Sequence, residues 1–118
     1  MNYIDGFVMP ILKKNVPAYR KLAKLACAVW MDHGALEYRE AVGEDLDTPC
    51  GLPFPRLTKM KKGETVVFAW IAYKSRAHRD RVNKKVMADP RLTKLMGKPM
   101  PFDMKRMSHG GFKIIVKS

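Results

Sequence analysis

The side chains best suited to chemistry fall in three places along this chain. His33 follows Asp32 and precedes Gly34, with Glu37 close behind. An imidazole needs only a small change in proton affinity to act as a general base near neutral pH. The plainer role is a histidine at a helix C-terminus, capping a carbonyl and meeting the negative end of the dipole. The second place is the run Lys74-Ser75-Arg76-Ala77-His78-Arg79-Asp80-Arg81. Ser75 is a natural N-cap, so three arginines and His78 crowd the first two turns of a helix. Cations oppose the dipole there. A bound anion would resolve the conflict, because amides, dipole and guanidiniums all attract it. Asp80, one turn from Arg76, supports the plainer alternative of a salt-bridged surface.

The third place is Met100 to Phe112. Its prolines, Phe102 and three methionines suit an apolar segment lying over the core, and methionine adapts to irregular binding surfaces. Asp103 and Arg106 are spaced to pair there, and His109 precedes two glycines. The plainer alternative is a packed connector with a bulge at Gly110-Gly111, or glycines that let another sheet come close. The candidate catalytic residues are therefore His33, His78 and Arg106. The candidate ligand or anion contacts are Ser75, Arg76, Arg79, Trp70, Phe102, Asp103 and His109.

Several chemistries are not indicated. The chain has no GxGxxG, Walker-type loop, HExxH or GxSxG. Three scattered histidines make no metal site, and no cofactor is implied. Cys27 and Cys50 form no CxxC unit, which favours a reduced, cytoplasmic setting. No apolar run approaches the ~20 residues that span a bilayer, and the N-terminus lacks the basic region of a signal peptide. Hydrophobic residues make up 47% and charged residues 29%, so a folded domain is expected over residues 1–118. The net charge of +12 is uneven. Residues 1–73 carry 10 Lys/Arg against 8 Asp/Glu, whereas residues 74–118 carry 13 against 3. That basic half suits a small anionic ligand or nucleic acid, or simply a solvated surface. Phe68 and Tyr73 lie in a strand without an RNP-like motif, so no RNA-stacking platform is indicated.

The elements that must position these residues follow from periodicity. Tyr3–Leu12 is mostly apolar and reads as a strand, with Pro10 marking an edge or bulge. Asn15 is a plausible N-cap, with Pro17 in the first turn. Tyr19, Leu22, Ala23, Ala26, Val29, Trp30 and His33 fall at helical spacing, which predicts an amphipathic helix over 16–33 with His33 toward the sheet. Gly34 stops it. A strand over 35–42 is followed by a long Pro/Gly-rich loop over 43–63, a length that tends to be functional or mobile. Residues 65–73 (TVVFAWIAY) form the clearest strand, apolar on both faces. A helix over 76–88, a short helix over 90–96 after Asp89-Pro90, a connector, and a last strand over 105–116 complete the chain.

The order is βαββαβ. Two such halves give a four-stranded antiparallel sheet with helices on one face. Helices cover only one face of the 65–73 strand, so the other must meet something. A second copy of the sheet is the simplest cover, which predicts a homodimer. The stretches YIDGFVMPILKKN (3–15), AYRKLA (18–23), HGALEY (33–38), ETVVFAWIAYKSRAHRDRVNKKVMADPR (64–91) and MPFDMKRMSHGGFK (100–113) resemble the YbaA-like family of uncharacterised bacterial proteins. The resemblance spans nearly the whole chain. It implies an α+β, ferredoxin-like domain assembled as a dimeric α+β barrel, and it brings no activity with it. Three functions stand open. The first is a small-molecule enzyme or carrier using a sheet–helix pocket. The second is an RNA-binding protein using Arg76, Arg79, Lys84 and Lys85. The third is a non-catalytic, partner-binding dimer.

Overall fold

A computed structural model describes all 118 residues. The order is β1 (Tyr3–Leu12), a 3-10 turn (Lys13–Asn15), α1 (Val16–Asp32), β2 (Glu37–Val42), α2 (Phe54–Leu57), β3 (Glu64–Tyr73), α3 (Arg76–Met87), α4 (Pro90–Thr93), a second 3-10 turn (Met104–Arg106) and β4 (Ser108–Lys113). The four strands form one antiparallel sheet in the order β2-β3-β1-β4. The fold is therefore α+β. No helix is long and apolar enough to cross a membrane.

β1 and β3 are the inner strands and pair over ten residues, from Tyr3–Tyr73 to Leu12–Glu64. Side chains alternate across a strand, so this register sorts them cleanly. Asp5, Phe7, Met9 and Ile11 share a face with Thr65, Val67, Ala69, Ile71 and Tyr73. Ile4, Gly6 and Val8 share the other with Phe68 and Trp70. On the first face, Val29 of α1 and Val82 and Val86 of α3 pack with Ile71 and Tyr73, all buried. A second cluster of Met9, Ile11 and Val67 receives Tyr19, Phe102 and Met107. The connector before β4 thus lies on the core, as its prolines and methionines imply.

The helix boundaries follow local chemistry. The Ser75 hydroxyl accepts the His78 N–H at 3.1 Å and caps α3. Asp89 caps α4 by accepting the Arg91 N–H at 2.9 Å. Gly34 ends α1 at φ +108°, a backbone geometry that a side chain would strain. Asn15 makes no side-chain cap; the chain enters α1 through the 3-10 turn instead.

Other boundaries shift. β2 starts at Glu37 rather than residue 35, α3 ends at Met87 rather than residue 88, and α4 ends at Thr93 rather than residue 96. β4 covers Ser108–Lys113, not 105–116, because Asp103 caps a 3-10 turn by accepting the Lys105 N–H. Gly110 and Gly111 form no bulge; they pair in register with Gly6 and Asp5. The 43–63 loop contains α2, whose Phe54 meets Phe68 edge-to-face at 6.3 Å. Pro10 sits on an inner strand, yet the ladder explains it. Lys13 donates to the Gly63 carbonyl just before β3, so alternation turns the Pro10 nitrogen toward the β4 side, beyond the last β1–β4 pair at Val8–Ser108.

Gly111 is held to glycine by its neighbour. A Cβ there would fall 2.8 Å from Tyr3 Cζ, whereas one at Gly110 would meet nothing within 4 Å. The Tyr3 ring in turn lies under the Arg79 guanidinium, 5.1 Å from its centroid. Gly111→Ala should push this ring aside and cost about 1–3 kcal/mol, and Tyr3→Ala should remove most of that cost. A denaturant double-mutant cycle measures it; full additivity would refute the contact.

Candidate functional site

A cavity of about 440 Å³ lies between the sheet, α1, α3 and the segment before β4. Fifteen of its 21 lining residues are hydrophobic, so its few polar groups define what it can recognise. Leu22, Ala23, Ala26 and Trp30 of α1 form one wall, and Phe7, Met9, Val67 and Ala69 of the sheet another. Ala23 and Ala26 leave space where larger side chains would fill it. Phe102, Met104 and Met107 close one side.

One polar group centres on Asp5, a lone acid in an apolar strand. Its Oδ1 accepts from Arg79 Nη1 at 2.7 Å, and both side chains are largely buried. Arg79 also donates to Asp80 at 2.8 Å and to the Tyr3 hydroxyl at 3.4 Å. Burial raises the Asp5 pKa above the ordinary 3.8, while Arg79 and Asn83 pull against that rise. Asn83 Oδ1 accepts from Trp30 Nε1 at 3.2 Å and from the Tyr73 hydroxyl at 3.3 Å. His109 stacks on Phe7 at 5.8 Å beside this group.

The other polar group is Glu40 on β2, opposite Ala69. It accepts the Tyr19 hydroxyl on one oxygen and the Tyr38 hydroxyl on the other, the latter at 2.7 Å. Burial, followed by the hydrogen bonds and charge of Glu40, pushes both phenol pKa values far above 10. Both tyrosines therefore stay neutral and donate.

The residues singled out from sequence are scattered. Arg79, Phe102 and His109 line the cavity. His33 does not point to the sheet; it has left the helical stripe as the C-cap of α1, and its Nε2 lies 2.8 Å from Asp89 Oδ2. His78 Nδ1 accepts the Lys74 N–H at 2.9 Å, and burial, then Arg81 and Lys74, lower its pKa. Arg106 pairs with Glu64 at 2.6 and 2.9 Å, not with Asp103, and also donates to the Lys59 carbonyl at 3.0 Å. Asp103 is engaged with its own turn. The Ser75 hydroxyl is taken by the α3 cap and Arg76 is exposed. Trp70 lies on the opposite sheet face and donates to Glu37 at 3.1 Å. Asp5, Tyr19, Tyr38, Glu40 and Asn83 were missed as site residues. An acid inside an apolar strand was the one available signal for Asp5. No three His, Cys, Asp or Glu side chains gather as a metal site.

A family model described as "Protein of unknown function (DUF1428)" matches residues 2–104. The chain belongs to the DUF1428 family. It is 40% identical over 116 residues to the "Uncharacterized protein YbaA" of Escherichia coli (strain K12), covering 98% of each chain. The same identity and coverage hold for the YbaA proteins of Escherichia coli O157:H7 and Shigella flexneri. The DUF1428 match includes both polar groups of the cavity apart from His109, which lies beyond residue 104.

The Asp5–Arg79 pair has a definite pH signature. An acid whose pKa rises on folding contributes stability that is present below its unfolded value and lost as pH climbs through the folded one. Arg79 opposes that loss. Arg79→Met should therefore destabilise the protein by about 3 kcal/mol at pH 7, where it strands a buried carboxylate. The cost should shrink near pH 4, where Asp5 takes up a proton. Urea unfolding at both pH values checks this; an equal cost at each would refute it.

Proposed function

We propose that this protein binds a small, largely apolar molecule in the cavity between sheet and helices, and that it does so as a homodimer. The observation carrying the first part is the apolar cavity of about 440 Å³ with Asp5 and Glu40 at its wall. This volume lies in the range of small-molecule sites. Two carboxylates and one guanidinium line it, so its charge does not favour an anion. The cationic side chains Arg76, Arg81, Lys84 and Lys85 are exposed on α3. An RNA-binding reading draws on this charge alone, and Arg79, one of its expected contacts, is engaged by Asp5 and Asp80.

The homodimer is supported by the opposite sheet face. Phe68 is 42% exposed and Phe112 58% exposed there, beside Ile4, Val8 and Trp70. Large apolar patches on folded proteins usually meet a partner. Gly6 and Gly110, paired on this face, leave a shallow region where a second sheet could approach. The element order and the strand order β2-β3-β1-β4 support a ferredoxin-like reading of the domain, and face-to-face pairing of two such sheets would make a dimeric α+β barrel. The two free cysteines fit a reducing cytoplasm.

Two outcomes test this reading. Ala26→Phe should fill the cavity and abolish saturable binding of indole, a neutral aromatic probe, in saturation-transfer NMR. Circular dichroism should still show a folded protein, destabilised by about 1–3 kcal/mol. Indole binding that survives the substitution would refute the cavity as the site. Phe68→Asp should convert a dimer to a monomer in sedimentation velocity; a wild-type protein that is already monomeric would refute the dimer.

A further inference from the structure

We infer that the ligand is an organic amine, bound as a cation between the Glu40 carboxylate and the aromatic rings around it. This rests on the cavity being the binding site and names the chemical class it takes. Glu40 is the starting observation. It faces the apolar cavity and is half-buried, yet it has no cationic partner: its two hydrogen bonds come from neutral phenols. An ionised carboxylate in such a place is expensive to desolvate, and neutral donors offset only part of that cost. Arg79 is the only Lys or Arg lining the cavity, and it is engaged by Asp5 and Asp80. Asp5, Glu40 and Arg79 together leave the lining with one negative charge in excess. A ligand of charge +1 supplies what is missing.

The surrounding rings favour the same class. Trp30 and Tyr38 lie 6.1 Å apart between centroids, and Tyr19 meets Phe102 edge-to-face at 5.6 Å. All four rings line the cavity, and Tyr19 and Tyr38 hold Glu40 between them. Aromatic faces attract cations, most strongly where water is excluded. Each carboxylate oxygen keeps a lone pair after accepting one phenol, so an ammonium can bond Glu40 without displacing either tyrosine. The apolar body of the molecule would then lie along Ala23, Ala26 and Ala69.

Three probes of similar shape separate the possibilities: phenethylamine, 2-phenylethanol and 3-phenylpropanoate. Binding to the full-length protein is followed by calorimetry and by saturation-transfer NMR. The amine should bind at least tenfold more tightly than the alcohol, and the carboxylate most weakly. Glu40→Gln keeps an acceptor for a tyrosine while removing the charge. It should weaken the amine at least tenfold and leave the alcohol within about twofold. Glu40→Asp, which keeps the charge, should retain most of the amine preference and guards against a folding defect in the first variant. If the alcohol or the carboxylate binds as well as the amine, or if Glu40→Gln leaves the preference intact, the amine assignment fails while the cavity stands. If neither indole nor any of the three probes binds, the cavity reading fails and takes this inference with it.

Discussion

The unbroken register between β1 and β3 is the constraint on which the rest of the molecule depends. Ten consecutive pairs join the two inner strands, and each strand carries different chemistry on its two faces. One face supplies Asp5, Phe7, Met9, Val67 and Ala69 to the cavity. The other supplies Ile4, Val8, Phe68 and Trp70 to an exposed aromatic patch. A slip of one residue in either strand would exchange those sets. Asp5 would lose Arg79, and Phe68 would be driven into the space beneath α1. The neighbours extend the same logic outward: β2 places Tyr38 and Glu40 opposite Ile71 and Ala69, and β4 places His109 opposite Phe7.

Buried carboxylates organise the periphery. Glu64 binds Arg106, which ties the segment before β4 to the start of β3 and to the Lys59 carbonyl. Asp89 binds Arg91 and His33, and Arg91 reaches Asp32, so α4 is fastened to the end of α1. Arg91, then His33, hold the Asp89 pKa far below 3.8, and Arg106 lowers that of Glu64. Stability from these two acids is present above their unfolded pKa values and is lost as pH falls through the folded ones. No buried side-chain nitrogen or oxygen lacks a hydrogen-bond partner. The two arginines that make these ties, and Arg79 on Asp5, sit in the basic half of the chain. Net charge therefore overstates how much of that half is free to meet a ligand.

Glu40 departs from this pattern. Asp5, Glu64 and Asp89 each have an arginine, while Glu40 has two phenols. Neutral donors satisfy its hydrogen bonds without cancelling its charge. The difference sets it apart within a cavity whose walls are otherwise apolar or already paired.

The elements were legible because they rest on local rules. The β-branched and aromatic run TVVFAWIAY marked β3, the stripe from Tyr19 to Trp30 marked α1, and Ser75, Asp89 and Gly34 marked helix ends. The dense apolar character of β3 also exposed the problem of its second face. The family resemblance was legible too, across almost the whole chain. Partners of charged side chains were not, because ion pairs form between residues brought together only by folding. Asp5 and Arg79 are 74 positions apart, and His33 and Asp89 are 56. Sequence spacing suggested Asp103 for Arg106, and the folded chain offered Glu64. Likewise Tyr19 and Tyr38 meet over Glu40 only because α1 crosses β2. The sequence by itself determined which segments become strands and helices, since hydrophobic period and capping act over a few residues. Only the tertiary structure decided which of the cavity's two acids is paired with an arginine, which is not, and where an apolar space remains between them.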